Sequence, residues 1–149
     1  MTYANDMTSP ATDTALASEL RTTVMRLARR LRNQRADTTM SLSQLAALGT
    51  LERCGPLTPG ELAGLERVQP PSMTRVVAAL ETAGLVTRTG HPTDRRQVLV
   101  AVSAAGKVLL KGDRRRRDAW LAQRMRDLDP EDLAVLRRAA AVLDKLAGS

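Results

Sequence analysis

A chain of 149 residues with a formal charge of +7 allows one compact domain, or one domain with helical arms. Hydrophobic residues make up 43% of it, but aromatics are 1% and phenylalanine is absent, so Leu, Val, Ala and Met must fill a thin core, which favours sharing that core with a second copy. A single cysteine, Cys54, excludes an intrachain disulfide framework; no apolar run approaches the ~20 residues of a membrane span, and the polar N-terminus lacks an apolar signal segment, which together point to a cytoplasmic protein without membrane contact.

Residues 1–13 are polar, include Pro10 and have little to bury, and are expected to be a disordered tail. From about Asp13 to Arg35, Leu16, Leu20, Val24, Leu27 and Leu31 recur at steps of four and three, one face of a long amphipathic helix with an arginine-rich opposite face. Ser41 and Gln44 have the spacing of a capping box, and open a helix with Leu42, Leu45, Leu48 and Leu51 as its apolar positions; Gly55-Pro56 ends it. Thr58 caps the next, short helix, with Pro59 at its first position and Leu62, Ala63 and Leu65 as its buried face.

Pro70 and Pro71 are tolerated only where a helix opens. The helix that follows runs to Ala83, buries Met73, Val76, Val77 and Leu80, and stops at Gly84 as a left-handed cap. Leu85–Arg88 and Gln97–Val102 read as two strands of a hairpin with a polar, cationic tip. A long helix from Ser103 to about Leu128 contains Arg114-Arg115-Arg116-Arg117. Asp129-Pro130-Glu131 starts a last amphipathic helix with Leu133, Leu136, Ala140, Leu143 and Leu146 on one face. The expected fold class is mainly α with a small β-hairpin, a winged helix-turn-helix flanked by amphipathic terminal helices.

A helix pair followed by a basic-tipped β-ribbon suits a DNA duplex: the second helix fits the major groove, and an arginine on a thin hairpin reaches the neighbouring minor groove. Gln69, Ser72, Thr74 and Arg75 form the outward start of that helix. Arg75 is the candidate base reader, because a guanidinium forks onto guanine, and backbone N–H groups there favour phosphate. On the wing, the Asp94 carboxylate is expected to pair with one of Arg95 and Arg96, leaving the other to project into the minor groove, with Arg88 and His91 beside the tip placed for phosphates. The basic charge agrees with a polyanionic partner, although a high-GC genome also enriches arginine.

Four consecutive arginines spread around a helix at ~100° per residue, so 114–117 cannot form one flat patch; solvation with structural ion pairing is the expected role, with attraction of nucleic acid or of an anionic effector as the alternative. Trp120 and Met125 are expected to pack in the core or a dimer, with the lining of an effector pocket as the alternative. Cys54 is expected to be packed and inert, with a thiol-based redox response as the alternative. No metal cluster, phosphate loop or nucleophile–base pair is visible, so no cofactor and no enzyme activity are expected.

The run PPSMTRVVAALETAGLVTR followed by HPTDRRQVLVAVSAAG resembles the multiple-antibiotic-resistance regulator (MarR) family of bacterial transcription factors. The motifs cover Leu57–Gly106, and helix order extends the resemblance to about residues 15–147; Val102-Ser103 stands where the family usually has Leu-Thr. The resemblance implies a homodimeric repressor on a pseudo-palindromic operator, many such proteins being released by a small phenolic or lipophilic ligand. It implies a dimerisation helix over 14–36, a DNA-binding domain over 41–103 and C-terminal dimerisation helices over 104–149. Leu16, Leu20, Val24, Leu133, Leu136, Leu143 and Leu146 are the dimer candidates. The rival reading is a non-specific architectural DNA-binding protein.

Overall fold

The computed structural model describes residues 10–35 and 39–148, with side chains from residue 13 onward. The elements are α1 (Pro10–Arg32), α2 (Leu42–Cys54), α3 (Pro59–Glu66), α4 (Pro70–Thr82), β1 (Val86–Gly90), β2 (Val98–Val102), α5 (Ala104–Met125) and α6 (Pro130–Ala147). This is a mainly helical chain with one antiparallel hairpin, in the predicted order. Helix α1 begins at Pro10, earlier than the predicted Asp13, since proline is accepted in a first turn; the rest of the proposed tail, residues 1–9, lies outside the described residues. The chain divides into two compact units, residues 35–118 and residues 1–34 with 119–149.

Local chemistry explains the helix ends in the 35–118 unit. The Ser41 hydroxyl accepts the Gln44 N–H (3.1 Å) while the Gln44 side chain accepts the Ser41 N–H (3.0 Å), a complete capping box. Thr58 Oγ1 likewise accepts the Glu61 N–H (3.1 Å), with Pro59 at the first helical position. Gly84, at φ 74°, turns the chain out of α4 as predicted. Helices α2, α3 and α4 enclose a core whose fully buried side chains include Leu48, Leu51, Leu62, Met73, Val77 and Leu80; Val100 from the hairpin closes it. Each such side chain contributes about 1.5–3 kcal/mol over its exposed state.

Two predicted core positions are corrected. Leu42 is 48% exposed and Leu65 is 56% exposed. At 100° per residue, a leucine every third position drifts around the helix, so Leu42 lies opposite Leu51, and Leu65 lies nearly opposite Ala63. Val76, also predicted as buried, is half-buried at the core's edge.

The hairpin pairs Val86 with Val102 and Gly90 with Val98 at its two ends. Leu57, in the α2–α3 connection, adds a third edge: its N–H donates to the Val100 carbonyl (3.1 Å) and its carbonyl accepts the Val100 N–H (2.8 Å). Ser103 joins the hairpin to α5. Its N–H donates to the Leu85 carbonyl (2.9 Å), its hydroxyl donates to the Gly84 carbonyl (2.6 Å), and the same oxygen accepts the Gly106 N–H (3.1 Å). Gly106 sits so near this junction that a Cβ on it would lie 2.3 Å from the Leu85 oxygen.

The other unit is differently made. No residue of α6 is buried, and its start is capped by Asp129, whose carboxylate accepts the Asp132 N–H (2.8 Å). Of the predicted dimer residues, Leu16, Val24, Leu136, Leu143 and Leu146 are exposed, while Leu20 and Leu133 are half-buried. Leu20 and the α6 residues Val135, Ala139, Val142, Leu143 and Leu146 line an apolar groove of about 370 Å³, with the Arg138 side chain at its edge. Trp120 is half-buried, with the Arg30 and Arg124 guanidinium carbons each 5.3 Å from its ring centroid.

Candidate nucleic-acid interface

Helix α4 is amphipathic in the sense a groove-reading helix requires. Met73, Val77 and Leu80 are buried against the core, which turns Ser72, Thr74 and Arg75 outward, where all are exposed. Gln69, the N-cap, is also exposed, and its side chain makes no capping bond, so its amide is available to a partner. Thr74 is partly engaged: its hydroxyl donates to the Pro70 carbonyl (3.0 Å), leaving oxygen lone pairs as the outward function. Arg75 makes no ion pair or side-chain hydrogen bond with another described residue. The idea that backbone donors at this helix start grip phosphate is weakened, because Pro70 and Pro71 occupy its first positions and have no N–H.

The wing tip is built by its own side chains. His91 Nδ1 accepts the N–H groups of Thr93 (3.2 Å) and Asp94 (3.1 Å), which puts the ring proton on Nε2. The Asp94 carboxylate accepts the Arg96 N–H (3.0 Å), and the loop is closed by Gln97 N–H to the Asp94 carbonyl (3.1 Å) and His91 N–H to the Gln97 carbonyl (3.2 Å). Asp94 therefore fixes the loop, but through a backbone N–H; neither Arg95 nor Arg96 pairs with it through a guanidinium, and both side chains are exposed. Two outward arginines, where one was predicted, result from this.

Of the two residues expected to meet phosphates, Arg88 is engaged within the chain and His91 only in part. Arg88 Nε is ion-paired with Glu81, so it braces the wing against α4. His91 spends Nδ1 inside the loop. These roles were hidden in the sequence because a strand residue and a helix residue seven apart reveal no contact until the turn between them is known.

Outside α4 and the wing, Thr50 is buried and donates its hydroxyl to Glu66, while Arg53 Nη2 donates to the same Thr50 oxygen (3.0 Å). This ties α2 to the end of α3 just before the turn into α4. Arg114, in the arginine run, forms a bidentate pair with Glu52 of α2 (2.7 and 3.1 Å). The bond to Arg114 holds the Glu52 carboxyl below its ordinary range, and the bond to Glu52 raises the Arg114 guanidinium. Cys54 is exposed, which corrects the expectation of packing: it is the last residue of α2, where the chain turns away at Gly55 (φ 78°). Among the described residues no group of acidic, His or Cys side chains is arranged to hold a metal ion, and no helix is long and apolar enough to cross a membrane.

Comparison with known proteins agrees with this architecture. The MarR family profile matches residues 40–98, from the start of α2 to the start of β2. The HTH-type transcriptional regulator ML2140 of Mycobacterium leprae is 51% identical over 134 residues, covering 90% of this chain and 94% of its own. A transcriptional regulator protein from Pseudomonas aeruginosa superposes with a TM-score of 0.83 at 36% identity, covering 95% of this chain and 99% of its own. A MarR family protein from Bacillus stearothermophilus shares the fold, with a TM-score of 0.74 at 24% identity over 95% of this chain and 99% of its own. The chain belongs to the MarR family, whose members are helix-turn-helix transcriptional regulators and not enzymes.

Proposed function

We propose that this regulator is a repressor that binds a pseudo-palindromic operator in the bacterial cytoplasm as a homodimer. Helix α4 of each copy enters the major groove with Gln69, Ser72, Thr74 and Arg75 toward the bases. The wing places Arg96, assisted by Arg95, in the adjacent minor groove, where a narrow groove concentrates negative potential. The observation that carries this reading is placement: Arg75 is exposed on the outer face of α4 and Arg95 and Arg96 are exposed at the hairpin tip, all three without a carboxylate partner among the described residues, whereas Arg88 at the base of the same wing is ion-paired with Glu81.

Dimerisation is supported by the apolar faces of α1 and α6. Leu16 (60% exposed) and Leu146 (68% exposed) would remain in water in a lone chain. A two-fold pair of such lobes reads half-sites about one helical turn, ~10 bp, apart.

The test is selection of bound sequences from a random duplex pool, followed by footprinting of the best site with the wild type, Arg75→Ala and Arg96→Ala. The reading requires a two-fold symmetric footprint, weakened by both substitutions. Equal affinity for selected and random duplexes would mark a non-specific DNA-binding protein instead. Repeating the binding titration with phenolic acids present assays ligand release in the same experiment.

A further inference from the structure

The turn between α3 and α4 holds a residue whose type its backbone does not favour. Arg67 has φ 54° and ψ 43°, the left-handed region, and it is the non-glycine residue with positive φ among the described residues. The turn is closed by backbone alone. The Arg67 N–H donates to the Gly64 carbonyl (3.3 Å) and the Val68 N–H to the Ala63 carbonyl (3.1 Å). Those paired bonds form a Schellman ending, whose left-handed position ordinarily holds glycine, because a Cβ there crowds the following carbonyl. The Arg67 side chain is exposed and makes no hydrogen bond or ion pair with another described residue. Its charge lies at the negative C-terminal end of α3, where an exposed cation gains a little stability. That gain is smaller than the cost of the left-handed backbone, and no side-chain contact with a described residue adds to it.

A separate feature of the same place supplies the reason. A helix start leaves four N–H groups unsatisfied, and these are what hold a phosphate when a helix enters a groove. At α4, Pro70 and Pro71 remove two of them. A helix inserted into the major groove still passes beside the sugar-phosphate backbone, and contacts there set its register. Some other donor must do that work, and an arginine fork is the side chain best matched to phosphate oxygens.

We infer that Arg67 is a phosphate-binding residue, whose guanidinium takes a backbone phosphate flanking the bases read by α4 and replaces the donors that Pro70 and Pro71 eliminate. This rests on the proposed insertion of α4 into DNA, and it adds to that reading a contact of a different class: positioning, without sequence preference.

The experiment compares the wild type, Arg67→Gly and Arg67→Lys by thermal unfolding and by titration of random and selected duplexes across a salt series. Arg67→Gly relaxes the turn, so its midpoint stays at or above that of the wild type. Its affinity falls on the order of tenfold, as for loss of one charged hydrogen-bonding group. The fall is equal on random and selected duplexes, and the slope of log affinity against log salt becomes shallower by about 0.9. Arg67→Lys keeps the wild-type slope. Unchanged affinity and slope in Arg67→Gly would overturn the inference. So would a fall confined to the selected duplex, which would make Arg67 a base reader, or a lowered midpoint, which would give its side chain a structural role. A wild type that binds no duplex at low salt would overturn the DNA reading itself, and the inference with it.

Discussion

Replacing Gly106 by alanine pits two effects of known size against each other. Gly106 lies in the first turn of α5, and glycine within a helix costs up to about 1 kcal/mol relative to alanine, so on propensity alone the substitution stabilises. The added methyl, however, would lie 2.3 Å from the Leu85 carbonyl oxygen and 2.7 Å from Val102 Cγ1. The first is backbone that already accepts the Ser103 N–H at 2.9 Å, so it cannot give way without loosening the hairpin from α5. Overpacking of this kind costs roughly 1–3 kcal/mol, and a rigid backbone neighbour places it toward the upper end. The clash therefore wins by about 1–2 kcal/mol, which for a chain of this size lowers the unfolding midpoint by roughly 2–8 °C. The control is Gly112→Ala on the same helix, where an added Cβ meets nothing within 4 Å and only the propensity gain remains. Circular-dichroism melts at one protomer concentration measure both. A Gly106→Ala midpoint equal to or above the wild type, or a drop equal to that of Gly112→Ala, would refute the reasoning.

Other outcomes follow from the same geometry. Arg75→Ala costs about 1–3 kcal/mol of binding and loosens preference at one base-pair position, as read by selection with the variant. Arg88→Gln shifts stability by less than about 1 kcal/mol and leaves the salt slope of DNA binding unchanged, because Arg88 braces the wing through Glu81; Arg96→Ala lowers that slope by about 1. The Glu52–Arg114 pair stabilises the fold above the ordinary glutamate range and loses its effect as pH falls below it, since the Glu52 carboxyl is lowered when folded. Glu52→Gln should therefore flatten the acid side of a stability–pH curve and leave the neutral side parallel to the wild type. A Leu136→Asp, Leu143→Asp double variant should sediment as a monomer and bind duplex DNA more weakly than the wild type.

Most of the helix-turn-helix and wing was legible because its signals are local. Ser41 with Gln44, Thr58 with Pro59, Asp129 with Pro130 and Gly84 each mark an end through atoms only a few residues apart, and the structure uses every one. Periodicity misleads at Leu42 and Leu65, because residues at steps of three drift by about 60° each time and leave the buried face. The outward positions of Ser72, Thr74 and Arg75 followed from placing Met73, Val77 and Leu80 inward. The ion pairs did not follow. Arg88–Glu81 joins strand to helix, and Arg114–Glu52 joins residues 62 positions apart, so neither has a pattern in the chain. The Arg67 turn was unreadable for another reason: its residue type is the reverse of what its backbone prefers.

The most direct test of the account is sedimentation of the chain with a fluorescent duplex selected from a random pool. Two copies per duplex are predicted, on half-sites about one helical turn apart, with Arg75→Ala and Arg96→Ala each shifting the titration to higher protein concentration. One copy per duplex, or a titration that neither substitution moves, would contradict it.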